Sequence, residues 1–156
     1  FNPYDYDNYF GEGISRANSF AKFILFNISL PIVGSFFSSL ESKIILKNIL
    51  RGGFFDIECL SHEYLNLLCS SIKKNGYAYH FRNVLRNYKS FTDARKLYNK
   101  IKIPVKLIYG DNDWANESNK NETKDIFGLA NYIIIKNCGH FSFLEKPKEV
   151  AKILSR

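Results

Sequence analysis

The chain has 156 residues, 46% of them apolar and 24% charged, with a net charge of +7. That length suits one ordinary domain with a sizeable core. Three cysteines, odd in number and without C-x-x-C spacing, suggest neither a disulfide framework nor a zinc site, and they favour a reducing, cytoplasmic setting. The charge is uneven: residues 41–106 hold 13 basic against 5 acidic side chains, which accounts for the whole excess. Those charges are spaced rather than clustered, as on a solvated face, and they form no recognised nucleic-acid reader motif, so no nucleic-acid partner is expected.

Residues 1–14, "FNPYDYDNYFGEGI", mix Pro, Gly, Asp and Asn with large aromatics and read as a structured loop. The chain opens at Phe1 and contains no Met, and "FNPYDYD" looks like a strand end running into a turn. It is therefore expected to be the C-terminal part of something longer. From Ser15 the pattern turns helical, with Ser15 as a cap. Pro31 then marks a second helix through "PIVGSFFSSLESKIILKNIL", ended by Gly52-Gly53. Phe23 to Leu40 runs for 18 residues without a charge, which touches the threshold for a membrane span. Pro31, Gly34 and several serines break that stretch, so two short helices are expected there. "DIECLSHEYLNLLCSSIKKNG" predicts a further helix with Leu60, Tyr64, Leu67 and Leu68 on one face and Gly76 as its stop. One or two more helices follow to Ile101.

At Ile103 the period changes. "IPVKLIYG" is a short, β-branched run of the kind buried in a parallel sheet, "ESNKNETKDIFGL" is a polar helix with one apolar edge, and "ANYIIIKNC" is a second buried strand. "EKPKEVAKILSR" closes the chain as a helix with Pro147 in its first turn. Strand, helix, strand, helix is the tail of an α/β sheet. Ligands gather at the carboxyl ends of strands in such sheets, and a right-handed crossover makes these two strands parallel. Asp113 follows the first strand and His140 the second, so both are expected on one sheet edge. A carboxylate beside an imidazole fixes the ring's tautomer and stabilises the imidazolium, which prepares a base for a nucleophile.

"IPVKLIYGDNDW" followed by "CGHFSFLEKPKEVAKIL" resembles the C-terminal signature of the α/β-hydrolase family, from Ile103 to Leu154. In that family the acid lies in a G-x-x-D turn after a strand, and the histidine follows the last strand. The resemblance implies an α/β fold made of a loop and helical cap over residues 1–102, then the C-terminal β-α-β-α of the sheet over 103–156. It implies Asp113 as the acid, His140 as the general base, Asp111 as a turn residue, and Glu145 and Pro147 as holders of the His loop. It also implies an esterase-like or thioesterase-like hydrolase acting on a small hydrophobic substrate, with no metal or organic cofactor.

The family's serine sits on a G-x-S-x-G elbow, and none occurs here. Ser15 in "GEGISRA" has no strand before it, so the nucleophile, Ser or in some branches Asp, is expected upstream. Asp5 and Asp7 are alternative acids, since some members place the acid after the earlier strand. Trp114, Phe141 and Tyr4 are the candidates for substrate contact, with Tyr6, Tyr9, Phe10 and Phe20 as further pocket aromatics; for each, packing between cap and sheet is the plainer role. His62 and His80 are assigned none. A non-catalytic binding protein on the same scaffold is the first rival. A membrane-surface protein anchored through "FILFNISLPIVGSFF" is the second.

Overall fold

Asn18 opens the first helix. The structure, a computed structural model, describes Gly13, residues 18–39 and residues 42–155. Ser15, expected as a cap, lies outside the described residues. The Asn18 side chain accepts from the backbone N–H of Phe20 (3.1 Å) and Ala21 (3.2 Å), which starts α1, Ser19–Ser29. Leu30 is extended because Pro31 follows it, so the helix stops there. The single helix expected from Pro31 to Leu50 is instead two, α2 (Gly34–Ser39) and α3 (Lys43–Arg51). Ser42 takes an extended backbone and caps α3 by accepting from the N–H of Ile45, a local bond that competes with continuous helix. Arg82 donates from Nε to the carbonyl of Ile28 (3.3 Å) and from Nη2 to those of Leu30 (3.1 Å) and Pro31 (2.9 Å), satisfying the open end of α1.

A short 3₁₀ turn, Ile57–Cys59, leads into α4 (His62–Ile72), capped by Ser61; α5 (Tyr77–Arg86), α6 (Lys89–Arg95) and a second 3₁₀ turn, Tyr98–Lys100, complete the helical region. The inward face of α4 differs from expectation. Leu65 is the buried residue, 2% exposed, whereas Tyr64 and Leu67 are 37% and 60% exposed. Leu60 lies before the helix begins, so a pattern counted from it is out of phase, and Leu65 packs with Phe54 and Leu60. The main helical core joins α1, α3 and α5 through Ala21, Ile24, Leu25, Ile28, Ile49 and Leu85. No helix among the described residues is long and apolar enough to cross a membrane.

Among the described residues the strands are β1 (Ile108–Gly110) and β2 (Ile133–Ile135), which pair in parallel with Ile108 opposite Ile133 and Gly110 opposite Ile135. The architecture is thus mostly helical, with a small parallel sheet. Both strands are shorter than their apolar runs. Pro104 has no N–H to give a ladder, and Asn137 turns the chain out of β2 with a positive φ of 50°. β1 is buried throughout, but Ile133 is exposed, so only the carboxyl end of β2 is in the core expected for the whole strand.

The crossover helix α7, Glu117–Ile126, is capped by Asn116, whose side chain accepts from the N–H of Asn119 (2.8 Å). Its buried residues are polar, Asn119, Lys120 and Thr123, rather than the apolar edge expected. Lys120 is held by Glu117 at 3.2 Å and lies 5.8 Å above the Tyr109 ring centroid, so its charge is paired where it is buried. Tyr132 donates to the other oxygen of Glu117 at 2.7 Å. That hydrogen bond, then Lys120, hold the Glu117 carboxyl below its usual value; the same hydrogen bond, then burial and the Glu117 charge, push the Tyr132 phenol up to about 12. After β2 come α8 (Ser142–Glu145) and α9 (Pro147–Leu154), the latter with Pro147 in its first turn.

Candidate active site

The turns after the two strands interlock. The N–H of Asp111 donates to Ile135 (3.0 Å) and that of Asn112 to Cys138 (3.0 Å), while the N–H of Cys138 donates to the Asp111 carboxylate (3.2 Å). Burial pushes the Asp111 carboxyl up, but the N–H groups of Cys138 and Asn137, with Asn112 and Lys136, outweigh it and leave the net shift downward. A side chain at Gly110 would run into the carbonyls of Cys138 and Gly139, so only glycine permits this approach. Asp113 then folds back on its own turn and accepts from the N–H of Ala115 (3.1 Å).

The His140 loop is clamped between the turn after α3 and α8. The N–H groups of His140 (2.8 Å) and Phe141 (3.3 Å) both donate to the Gly53 carbonyl. Glu145 sets the other side: Oε1 accepts from the N–H of Phe55 and Asp56, each at 2.9 Å, and Oε2 accepts from the N–H of Gly139 at 2.6 Å. One buried carboxylate therefore satisfies three backbone donors from two distant segments. Cys138 is fully buried beside it. Burial, then the Glu145 charge, push its thiol up to about 12, which keeps it protonated and inert.

These two constructions bring His140 Nδ1 to 2.9 Å from Asp113 Oδ1. A carboxylate only accepts, so Nδ1–H is the donor and the tautomer is fixed. The Asp113 side chain is 1% exposed and that of His140 is 24% exposed. The acid is thus withdrawn from solvent while the imidazole reaches it. Three aromatic side chains surround the pair. Trp114 stacks on His140 with centroids 4.0 Å apart, Phe141 lies edge-on to both, and Phe54 packs on Phe141 at 4.9 Å.

Tyr4, Tyr6, Tyr9, Phe10, Asp5 and Asp7 lie outside the described residues. Phe20 is exposed on α1, and His62 and His80 are exposed on α4 and α5. Sequence reasoning passed over the platform formed by Gly52, Gly53 and Phe54. A Cβ on Gly53 would sit 2.5 Å from the rings of both Phe141 and Trp114. The signal was the Gly-Gly pair itself, read only as a helix stop although such a pair also permits close approach. Among the described residues no group of three or more His, Cys, Asp or Glu could hold a metal ion. All three cysteines are free.

No protein-family model and no curated protein sequence matches the chain. The structure is similar to the crystal structure of a serine hydrolase from the polyaromatic hydrocarbon-degrading bacterium Cycloclasticus zankles, with a TM-score of 0.56 and 18% identity. The likeness is one of fold. It covers 77% of this chain and 46% of that one, so the match spans less than half of the hydrolase's length.

Proposed function

We propose that this chain contributes the acid and the general base of a serine hydrolase of α/β-hydrolase type, with residues 1–102 as its cap and the nucleophile in an upstream segment. The observation that carries the proposal is the 2.9 Å bond from His140 Nδ1 to the withdrawn Asp113 carboxylate, at the carboxyl ends of two adjacent parallel strands. Asp113 orients the ring and stabilises its charged form. With Nδ1 committed to Asp113, His140 takes the nucleophile's proton on Nε2 and returns it to the leaving group. The bond broken is an ester, thioester or related acyl bond of a small hydrophobic substrate, with Phe141 and Trp114 on the pocket wall. Three free thiols suit a reducing compartment such as the cytoplasm.

In the intact protein, a fluorophosphonate probe is expected to label a serine. Asp113→Asn and His140→Ala should each slow turnover by about 10⁴-fold with the circular dichroism unchanged. Near-normal rates in either variant would refute the assignment.

A second reading, contact with an anionic membrane surface, is favoured by α1. Its inward face carries Ala21, Ile24, Leu25 and Ile28, yet Phe20, Phe23 and Phe26 stand exposed on the other side, with Phe36 exposed on α2. Lys22, Lys43 and Arg51 are exposed on α1 and α3, and the sequence from 18 to 55 contains a single acidic residue, Glu41. Flotation with phosphatidylglycerol vesicles tests it, and absence of the protein from the floated fraction removes it.

A further inference from the structure

The chain's one tryptophan lies against the candidate base. The Trp114 and His140 planes are inclined by only 20° at a centroid distance of 4.0 Å. Indole Nε1–H donates to the Gly52 carbonyl at 2.8 Å, while the next carbonyl, Gly53, accepts from the backbone of His140. The two glycines that follow α3 thus anchor both members of the stack. The indole face turned to His140 is closed to a substrate.

The hydrogen bond at Nδ1 fixes one edge of the imidazole, and a ring stacked on its face restricts tilting about that bond. The same indole face attracts a cation but has no comparable attraction for a neutral ring. The contact therefore strengthens when His140 accepts a proton. We propose that Trp114 is a positioning residue for His140, which sets the plane of the imidazole, favours its protonated form, and ties it to the end of α3 in the helical region. The proposal rests on His140 being the proton-transferring base. Among the described residues, charged groups set around the ring include Asp113 on Nδ1, and Asp111 and Glu145, which hold the loop backbone at Cys138 and Gly139; the turn from Gly52 to Phe55 adds none.

The test uses the full chain and requires no substrate. Protonated imidazole quenches indole emission on contact. Emission from Trp114 should therefore fall as pH is lowered, with the midpoint of the His140 ring resonances followed by NMR, and His140→Gln should abolish the fall. Trp114→Leu should weaken proton binding at His140 by about two- to fivefold, lowering its midpoint by about 0.3–0.7 pH units. Trp114→Phe, which keeps an aromatic face, should restore most of that shift. Emission indifferent to pH and to His140→Gln, or a His140 midpoint unmoved in both Trp114 variants, overturns the proposal. If Trp114→Leu does not fold, the emission titration of the unmodified chain decides. Neither readout depends on hydrolysis. Intact coupling in a protein that resists fluorophosphonate would count against the serine-hydrolase proposal alone, whereas lost coupling in a protein that is labelled would count against Trp114 alone.

Discussion

The helical region from Ser19 to Arg95 and the segment from Ile108 to Leu154 are held by different kinds of contact. In the first, α1, α3 and α5 meet through aliphatic side chains, and several large aromatics remain exposed around them. In the second, carboxylates directed at backbone N–H groups fix the turns: Asp111 on Cys138, Asp113 on Ala115, and Glu145 on Gly139, Phe55 and Asp56. Apolar packing is non-directional and constrains volume, whereas a carboxylate with two or three donors constrains position to within a hydrogen-bond length. Asp113 and His140, proposed above as a proton-transfer pair, sit where the second kind of support is found.

Glu145→Ala breaks the comparison most severely. Each of its three backbone donors, left without an acceptor, costs about 1–3 kcal/mol. A urea midpoint should register a loss of upward of about 3 kcal/mol, and the His140 resonances should broaden as the loop loosens. Leu85→Ala removes a side chain that is 1% exposed in the helical core and should cost about 2–5 kcal/mol, with the Trp114 emission maximum unchanged. A shift of that maximum in Leu85→Ala would show that the two regions are not separable.

Alkaline pH acts on the C-terminal segment. The Cys138 thiol is raised from 9.0 to about 12 by burial and then by Glu145, and the Tyr132 phenol from 10.0 to about 12 by its bond to Glu117. Where the unfolded chain has already lost these protons the folded one keeps them. Their contribution is therefore full below about pH 9 and is lost progressively between about 9 and 12, with a slope approaching about 1.4 kcal/mol per pH unit for each proton. Urea midpoints measured across that range should fall, and Cys138→Ala should flatten the part that begins near 9. Phe23→Ser, on the half-exposed face of α1 with its ring edge-on to Phe37 at 5.8 Å, should cost no more than about 1.5 kcal/mol while weakening any binding to anionic vesicles. A larger loss of stability would mean that this face is packed in the folded protein.

The features legible in the sequence were those carried by near neighbours. The β-branched runs that contain β1 and β2, and Pro147 at the start of α9, each depend on a few adjacent residues. The placement of Asp113 and His140 after consecutive strands was legible for the same reason. The phase of α4 was not, because Leu65 is turned inward by contact with Phe54 and not by the pattern within its own helix. Nor was the buried Lys120, whose tolerance comes from Glu117 together with the Tyr109 ring.

The sequence by itself determined that Asp113 and His140 would follow two consecutive strands, since strand propensity and chain order are local properties. Only the tertiary structure decided how they are held. Gly53 receives the His loop from across the chain, Trp114 stacks on the imidazole while bonded to Gly52, and Glu145 joins Gly139 to Phe55 and Asp56. Segments some ninety positions apart meet there, and whether a carboxylate finds an N–H depends on where the folded backbone brings them, not on the residues beside it.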